Sequence, residues 1–392
     1  MRLVLSLGIL ACVSAVFGIS LGGSASFILA EYAKTVAYCF LLAASVRNAR
    51  DLRTFMWAYV ISCGILAFFS LFVFGLSKSG GYVTRLNNLY TYDSNDVGVV
   101  LIVGLGLTLL LLSTVRGRLR WVLFLVVAGI CATIARSGSR GGFLGFLAFG
   151  IAAMFLVRTI PASRRLLIAV GAAVALYIAS PPGYWEQMQT LLRPKEDYNF
   201  SAIDGRKALV QRGIGYMKAY PVFGLGISNF PRAECTISPK LNMISRTGPI
   251  RCKAPHNSYV QAGAETGVVG LTLWVSLVIG SIVSLLRLRR RLPPWWSHGT
   301  EDERLLYSAT TFIPLAVIGF AVTAFFVSFA WMDTIYIIAA LITGVFLALK
   351  EHSRQFRAEA LMPDTRASSE SVVRYQPRSP VLASGWMDHG QR

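Results

Sequence analysis

Charge is what this sequence is most short of. Of its 392 residues 15% are charged, only 19 are acidic and only 4 are histidine. Soluble domains carry about a quarter charged residues, so an ordinary water-soluble fold is excluded. The sequence also has no H-E-x-x-H run and no carboxylate cluster, since Asp93 and Asp96 stand only as D-x-x-D. Neither a metal nor another cofactor is therefore expected. A cleavable signal peptide is not expected, because the first apolar run has no strongly basic leader and further apolar runs follow it. The sequence has neither repeated halves nor charges spread through the centres of its apolar runs, as a transporter would.

Long apolar runs are what it has in plenty. Runs of about 20 apolar residues cross a bilayer as helices, and ten are expected, at roughly 3–22, 27–46, 55–76, 97–115, 121–136, 141–158, 165–180, 257–286, 308–329 and 334–350. The fold class is thus all-α, a polytopic transmembrane helical bundle of about ten or more spans. The net charge of +19 is placed for a membrane and not for nucleic acid. Arg47, Arg50 and Arg53 follow the second run, Arg116, Arg118 and Arg120 the fourth, and Arg158, Arg164 and Arg165 the sixth. Arg287 and Arg289 to Arg291 follow the eighth, and a basic tail follows the tenth. Even-numbered exits are basic, so both termini are expected in the cytoplasm and the odd exits outside. Four parts follow: N-terminal spans 1–180, an outward loop 181–256 with an amphipathic helix, C-terminal spans 257–350, and a disordered cytoplasmic tail 351–392.

Polar residues at the outward exits are the candidates for chemistry. Glu31 and Lys34 share a helix face; they either serve a site or pair with each other and fix packing. After the third span comes GYVTRLNNLYTYDSNDVG, in which Tyr82, Tyr90 and Tyr92 suit an interface and Ser94 or Asn95 suits a helix cap. Arg85, Asp93 and Asp96 add fixed charge there. The ARSGSRGGFLGF turn puts Arg136 and Arg140 outside against the charge rule; if the turn is helical they share a face and grip one anion, the alternative being contact with lipid headgroups. Gly141 and Gly145 then offer a seam for close helix packing.

In the long loop, Ala202 to Tyr220 reads as a helix with Arg206, Leu209, Gly213, Tyr216 and Tyr220 on one stripe and Lys207 on the opposite face. A guanidinium heading a buried stripe needs an anion: a ligand phosphate, Asp204 or Glu265. If the eighth span is helical from His256, that residue lies at the outer mouth of a stripe with Tyr259, Gly263, Gly267 and Gly270, either for proton transfer or as a satisfied hydrogen-bonding group. Asp333 is a further carboxylate at the same level. Cys235 and Cys252 share the outward loop, where an oxidising compartment permits a disulfide, the alternative being two free thiols.

Taken in order, DSNDVG, SRGGFLGF, DGR with YPVFGLGISNF, and PHNSYVQAGAETGVVGL resemble the O-antigen ligase and polymerase superfamily of bacterial membrane glycosyltransferases, over roughly residues 85–275. The resemblance implies a GT-C-like fold, a polyprenyl-diphosphate-linked glycan donor, a glycan or lipid A-core acceptor, metal independence, and transfer on the periplasmic side of the inner membrane. By motif, the arginine of S-R-G-G falls on Arg140, that of G-R on Arg206, and the histidine of H-N on His256, beside Asn257. The arginines would then hold the diphosphate, with Arg136 or Arg85 assisting, and His256 would accept a proton or orient the acceptor. The family often carries a tryptophan after its G-R pair, whereas here none follows until Trp274. A repeat-unit polymerase, a transporter of lipid-linked glycan and a non-catalytic scaffold are the other readings.

Overall fold

The computed structural model describes residues 1–79, 83–87, 92–193, 204–241 and 251–361. Each of the ten expected spans is a helix. They are α1 (Arg2–Phe17), α2 (Leu21–Ser45), α3 (Ala49–Phe72), α4 (Ser94–Thr114), α5 (Leu119–Arg136), α6 (Arg140–Leu156) and α7 (Ala162–Ala179). After a long loop come α11 (Ser258–Arg291), α12 (Glu301–Thr323) and α13 (Asp333–Leu361). Seven of them, α2 to α5 and α11 to α13, are long and apolar enough to cross a membrane by themselves, whereas α1 and α6 are shorter. In the long loop between α7 and α11 lie α8 (Tyr184–Gln189), α9 (Arg206–Ala219) and α10 (Phe230–Thr236), and an antiparallel pair, β1 (Leu76–Ser79) with β2 (Val83–Leu86), precedes α4.

The bundle is apolar on both its inside and its outside. Leu41, Phe72, Leu125, Leu167 and Ile178 are each at least 68% exposed, which in water would be a liability and in a bilayer is the lipid-facing surface. At the centre stands α4, packed between α12, α5, α6 and α3. Small residues allow this: a side chain at Gly145 of α6 would collide with Thr323 and the Gly319 carbonyl of α12, and one at Gly141 with Phe326. The seam expected along α6 is therefore filled by α12 and the turn after it.

The largest departure from a regular helix is in α11. Gly267 has φ 71° and ψ −173°, a conformation open to glycine and closed to residues with a Cβ. The break releases backbone groups that the long loop takes up: Val268 N–H donates to the Pro221 carbonyl at 2.8 Å, and Leu225 N–H to the Ala264 carbonyl at 2.9 Å. The PVFGLG turn is thus docked into the helix. Below it, Leu209 and Tyr216 of α9 pack on Phe230, Val260 and Ala264. At the other end of the chain, α13 continues past the expected start of a tail at 351 to Leu361; residues 362–392 lie outside the described residues, as do Tyr82 and Tyr90.

Candidate functional site

Three helix beginnings and one turn carry the polar residues at one end of the bundle. The first is the start of α4, which Asp93 caps, in place of the Ser94 or Asn95 expected. Asp93 Oδ1 accepts from the Asn95 and Asp96 N–H groups, and Asp96 Oδ2 accepts from the Asp93 N–H at 2.9 Å. This reciprocal box satisfies the free donors of the first turn. It commits both carboxylates to the backbone, and it frees Asn95 for something else.

Asn95 is where separate segments meet. It is buried, and its Oδ1 accepts from Arg85 Nη2 of β2 at 2.9 Å and from Ser139 Oγ at 2.8 Å. Its Nδ2 faces Asp93 Oδ2 at 3.3 Å. Ser139 is in turn the cap of α6, taking the Gly142 N–H. One amide therefore fixes Arg85, the start of α4 and the start of α6 relative to each other.

Arg140 is the first residue of α6 and is only 7% exposed. Its Nη1 donates to Thr190 Oγ1 at 2.7 Å, which ties it to the turn after α8. The helical turn that would put Arg136 on the same face does not form. Arg136 ends α5, and Gly138 with φ 62° breaks the chain before α6 begins. Arg136 Nη2 lies instead 3.4 Å from the Phe74 carbonyl. The two arginines are directed by different helices to different segments.

The second pair of segments brings Arg206 and His256. Arg206 opens α9 and heads the buried stripe of Leu209, Gly213 and Tyr216; the expected start at Ala202 lies outside the described residues. His256 is not the first residue of a helix. It sits in the turn before α11 with φ 48°, its N–H donating to Ser328 Oγ at 2.9 Å. Asn257 is the cap of α11, its Oδ1 holding the Tyr259 and Val260 N–H groups at 3.0 Å each. That occupies the side-chain oxygen of Asn257, the residue that follows His256 in the H-N pair. A left-handed backbone at a histidine is unusual enough to mark a constrained position.

The imidazole of His256 is surrounded unevenly. Burial lowers its pKa below the ordinary 6.5, the Arg206 guanidinium lowers it further, Asp93 works the other way, and Lys253 lowers it again. Burial and cations both favour the neutral ring. These effects also place Arg206, from the start of α9, and Asp93, from the cap of α4, within electrostatic reach of the same ring.

The two carboxylates proposed as partners for Arg206 have other work. Glu265 is 1% exposed and accepts from the Ser228 and Phe230 N–H groups at 2.9 and 3.1 Å and from Trp331 Nε1 at 2.6 Å. Asp204 receives Lys240 Nζ at 2.9 Å, with Arg212 at 3.8 Å. Glu31 lies within α2, its side chain 66% exposed and 3.6 Å from the Lys34 ammonium, the mutual pair that was one of its two expected readings. Asp333, the first residue of α13, lines a cavity of about 580 Å³ with Tyr59 and Tyr92, between α2, α3, α4 and α13. Cys235 and Cys252 form a disulfide with Cα atoms 5.3 Å apart. Among the described residues no three His, Cys, Asp or Glu side chains are grouped as metal ligands would be.

Sequence reasoning missed the hub role of Asn95 and the buried partners of Asp204. For Asn95 a signal existed, since an amide next to a capping aspartate has a spare side chain. For Lys240, which is 30 residues or more from Asp204, the sequence carries no signal at all.

Residues 125–275 match the O-antigen ligase family. That stretch contains Arg136, Arg140, Arg206 and His256 and leaves out Arg85, Asp93 and Asp333. Compared by sequence with curated proteins, the chain matches none. Among solved structures, it is similar to a chain described under structural coordination of polymerization and crosslinking by a peptidoglycan synthase complex. The identity is 16%, the coverage 90% of this chain and 97% of that one, and the TM-score 0.48.

Proposed function

We propose that this chain, matched by the O-antigen ligase family over residues 125–275, is a membrane glycosyltransferase. It would move a glycan from a polyprenyl-diphosphate carrier to an acceptor hydroxyl at the outward, periplasmic face of a bacterial inner membrane, with both termini in the cytoplasm. What supports this reading is that burial and the Arg206 guanidinium both lower the pKa of His256, with Asp93 at the start of α4 acting on the same ring, and that Asn95 beside Asp93 fixes Arg85 and the turn before Arg140.

The chemistry is a displacement at the donor's anomeric carbon. The acceptor oxygen forms the new bond to that carbon as the bond to the diphosphate oxygen breaks, and the electron pair leaves with the polyprenyl diphosphate. The acceptor proton passes to His256, whose neutral form is the one able to take it. Arg206 and Arg140 meet the charge building on the leaving diphosphate, with Arg85 in support. A guanidinium needs no metal to do this, so the reaction is proposed to be metal-independent. Binding of the anionic donor would also oppose the effect of Arg206 on His256 and make the ring a stronger base at the moment it is needed.

Accumulation of lipid-linked donor in cells tests the reading. His256→Ala and Arg206→Ala should each block transfer at unchanged membrane level. Full transfer by both variants would remove the site. The length of the glycan left on the carrier separates handing-over of finished chains from joining of single repeats: long chains on the carrier mean a ligase, single-repeat products a polymerase.

A further inference from the structure

Lys240 has no exposed side-chain surface at all. Its Nζ stands 2.9 Å from Asp204 Oδ1 and 3.0 Å from Glu234 Oε2, and donates to the Arg251 carbonyl at 2.7 Å. Beside it Arg212 forks onto Glu234, Nε at 2.9 Å from Oε1 and Nη2 at 2.7 Å from Oε2. The Tyr216 hydroxyl donates to Glu234 Oε1 at 2.9 Å, and burial pushes that phenol up to about 12, so it stays a donor. Two cations thus face two carboxylates, and the cluster as a whole is neutral.

Such a cluster is poorly explained by stability, because a buried Lys240–Glu234 pair with two further charges largely covered beside it is often no more stabilising than apolar side chains of the same volume. Its bonds, however, end on the two stretches that carry the candidate site. Asp204 is two residues before Arg206, and Arg251 is five before His256. Lys253 Nζ donates to the Asp204 carbonyl at 3.4 Å, a second tie between the same stretches. The disulfide holds Cys252 to Cys235, next to Glu234 on α10.

We propose that Lys240 is a positioning residue: its ammonium fastens the start of α9 to the stretch before α11 and so sets where the Arg206 guanidinium stands relative to the His256 ring. Being fully buried, it touches no substrate. The inference rests on the proposed roles of Arg206 and His256. The groups acting on His256 are Arg206 from α9, Asp93 from the cap of α4 and Lys253 from the stretch before the ring. Releasing the tie weakens the first of these most directly.

The test uses the full-length protein in membranes. Lys240→Met alone leaves two carboxylates facing one arginine and is prone to misfold. The double variant Asp204→Asn with Lys240→Met keeps the cluster neutral and removes the tie. The expected result is a fall in kcat of about 10-fold to 100-fold, little change in the KM for acceptor, and an upward move of the acid limb of the pH profile. Lys240→Arg, which keeps the charge, should restore part of the rate. A merely structural role would scale the whole profile with the amount of active protein and leave the limb in place. An unmoved limb in a double variant with normal membrane level and an intact disulfide overturns the proposal, as does failure of that variant to accumulate, which would make the cluster a folding element only. If His256→Ala keeps full activity, the underlying reading fails; if it is inactive while the double variant behaves as wild type, the positioning role alone fails.

Discussion

The Arg206 guanidinium acts on the His256 imidazole across 50 residues of sequence, adding to burial in holding the ring below its ordinary pKa. Two groups that repel when both are charged are kept close only if the surrounding structure enforces it. The arrangement suits an anion that arrives between them.

The pH dependence follows from that relationship. The neutral ring is the base, and its pKa lies below 6.5, so activity should persist as pH falls through 6.5 and be lost only below it. Arg206→Gln removes a lowering influence and should move the acid limb of kcat/KM upward. Asp93→Asn keeps a good helix cap but removes a raising influence, and should move the limb down. Profiles of kcat/KM between about pH 5 and 8 check the signs; two limbs moving the same way would show that the ring is not the titrating group.

Arg206→Ala should cost more than the pH shift alone. Loss of one preorganised donor to developing charge lowers kcat by about 10²-fold to 10³-fold, and Arg206→Lys should recover little, because a point charge does not reproduce a fork. Single-turnover rates with a lipid-diphosphate donor measure it. Equal rates for the lysine and arginine forms would contradict bidentate contact with the diphosphate.

Glu265 should matter for folding and not for chemistry. Glu265→Ala leaves the Ser228 and Phe230 N–H groups and the Trp331 indole N–H without their acceptor in a buried place. At about 1–3 kcal/mol for each unsatisfied group, a loss of at least 3 kcal/mol is expected, seen as a lower Tm in detergent. Glu265→Gln retains an acceptor and should lose less.

The disulfide gives a fourth prediction. Cys235 and Cys252 are separated by 17 residues, so Cys235→Ser should destabilise the loop between α7 and α11 by about 3 kcal/mol. Thermal unfolding with and without reductant reads this directly, and the wild type, not the variant, should respond to the reductant.

Much of the fold is legible in the sequence because the physics is local. Twenty apolar residues in a row can do little else than cross a bilayer as a helix, and the ten runs are ten helices. The stripe of Leu209, Gly213 and Tyr216 is likewise a period-3.6 pattern, and it is buried as that pattern requires. What the sequence withholds is long-range or depends on a single backbone angle. The break at Gly267 looks like any glycine of a packing stripe until the Pro221 carbonyl is there to receive Val268 N–H. Arg136 and Arg140 have helical spacing, but the left-handed Gly138 between them sends them apart. Lys240 is one lysine in a polar loop, with nothing to show that Asp204, Glu234 and the Arg251 carbonyl all converge on it.

The most direct measurement is transfer by the purified protein in detergent, given a defined polyprenyl-diphosphate-linked glycan and a defined acceptor, with chelator present. Full activity in chelator for the wild type, and a fall of about 10²-fold to 10⁴-fold for His256→Ala at unchanged Tm, is the predicted result. Transfer by His256→Ala at the wild-type rate, or no transfer by the wild type until a divalent metal is added, would contradict it.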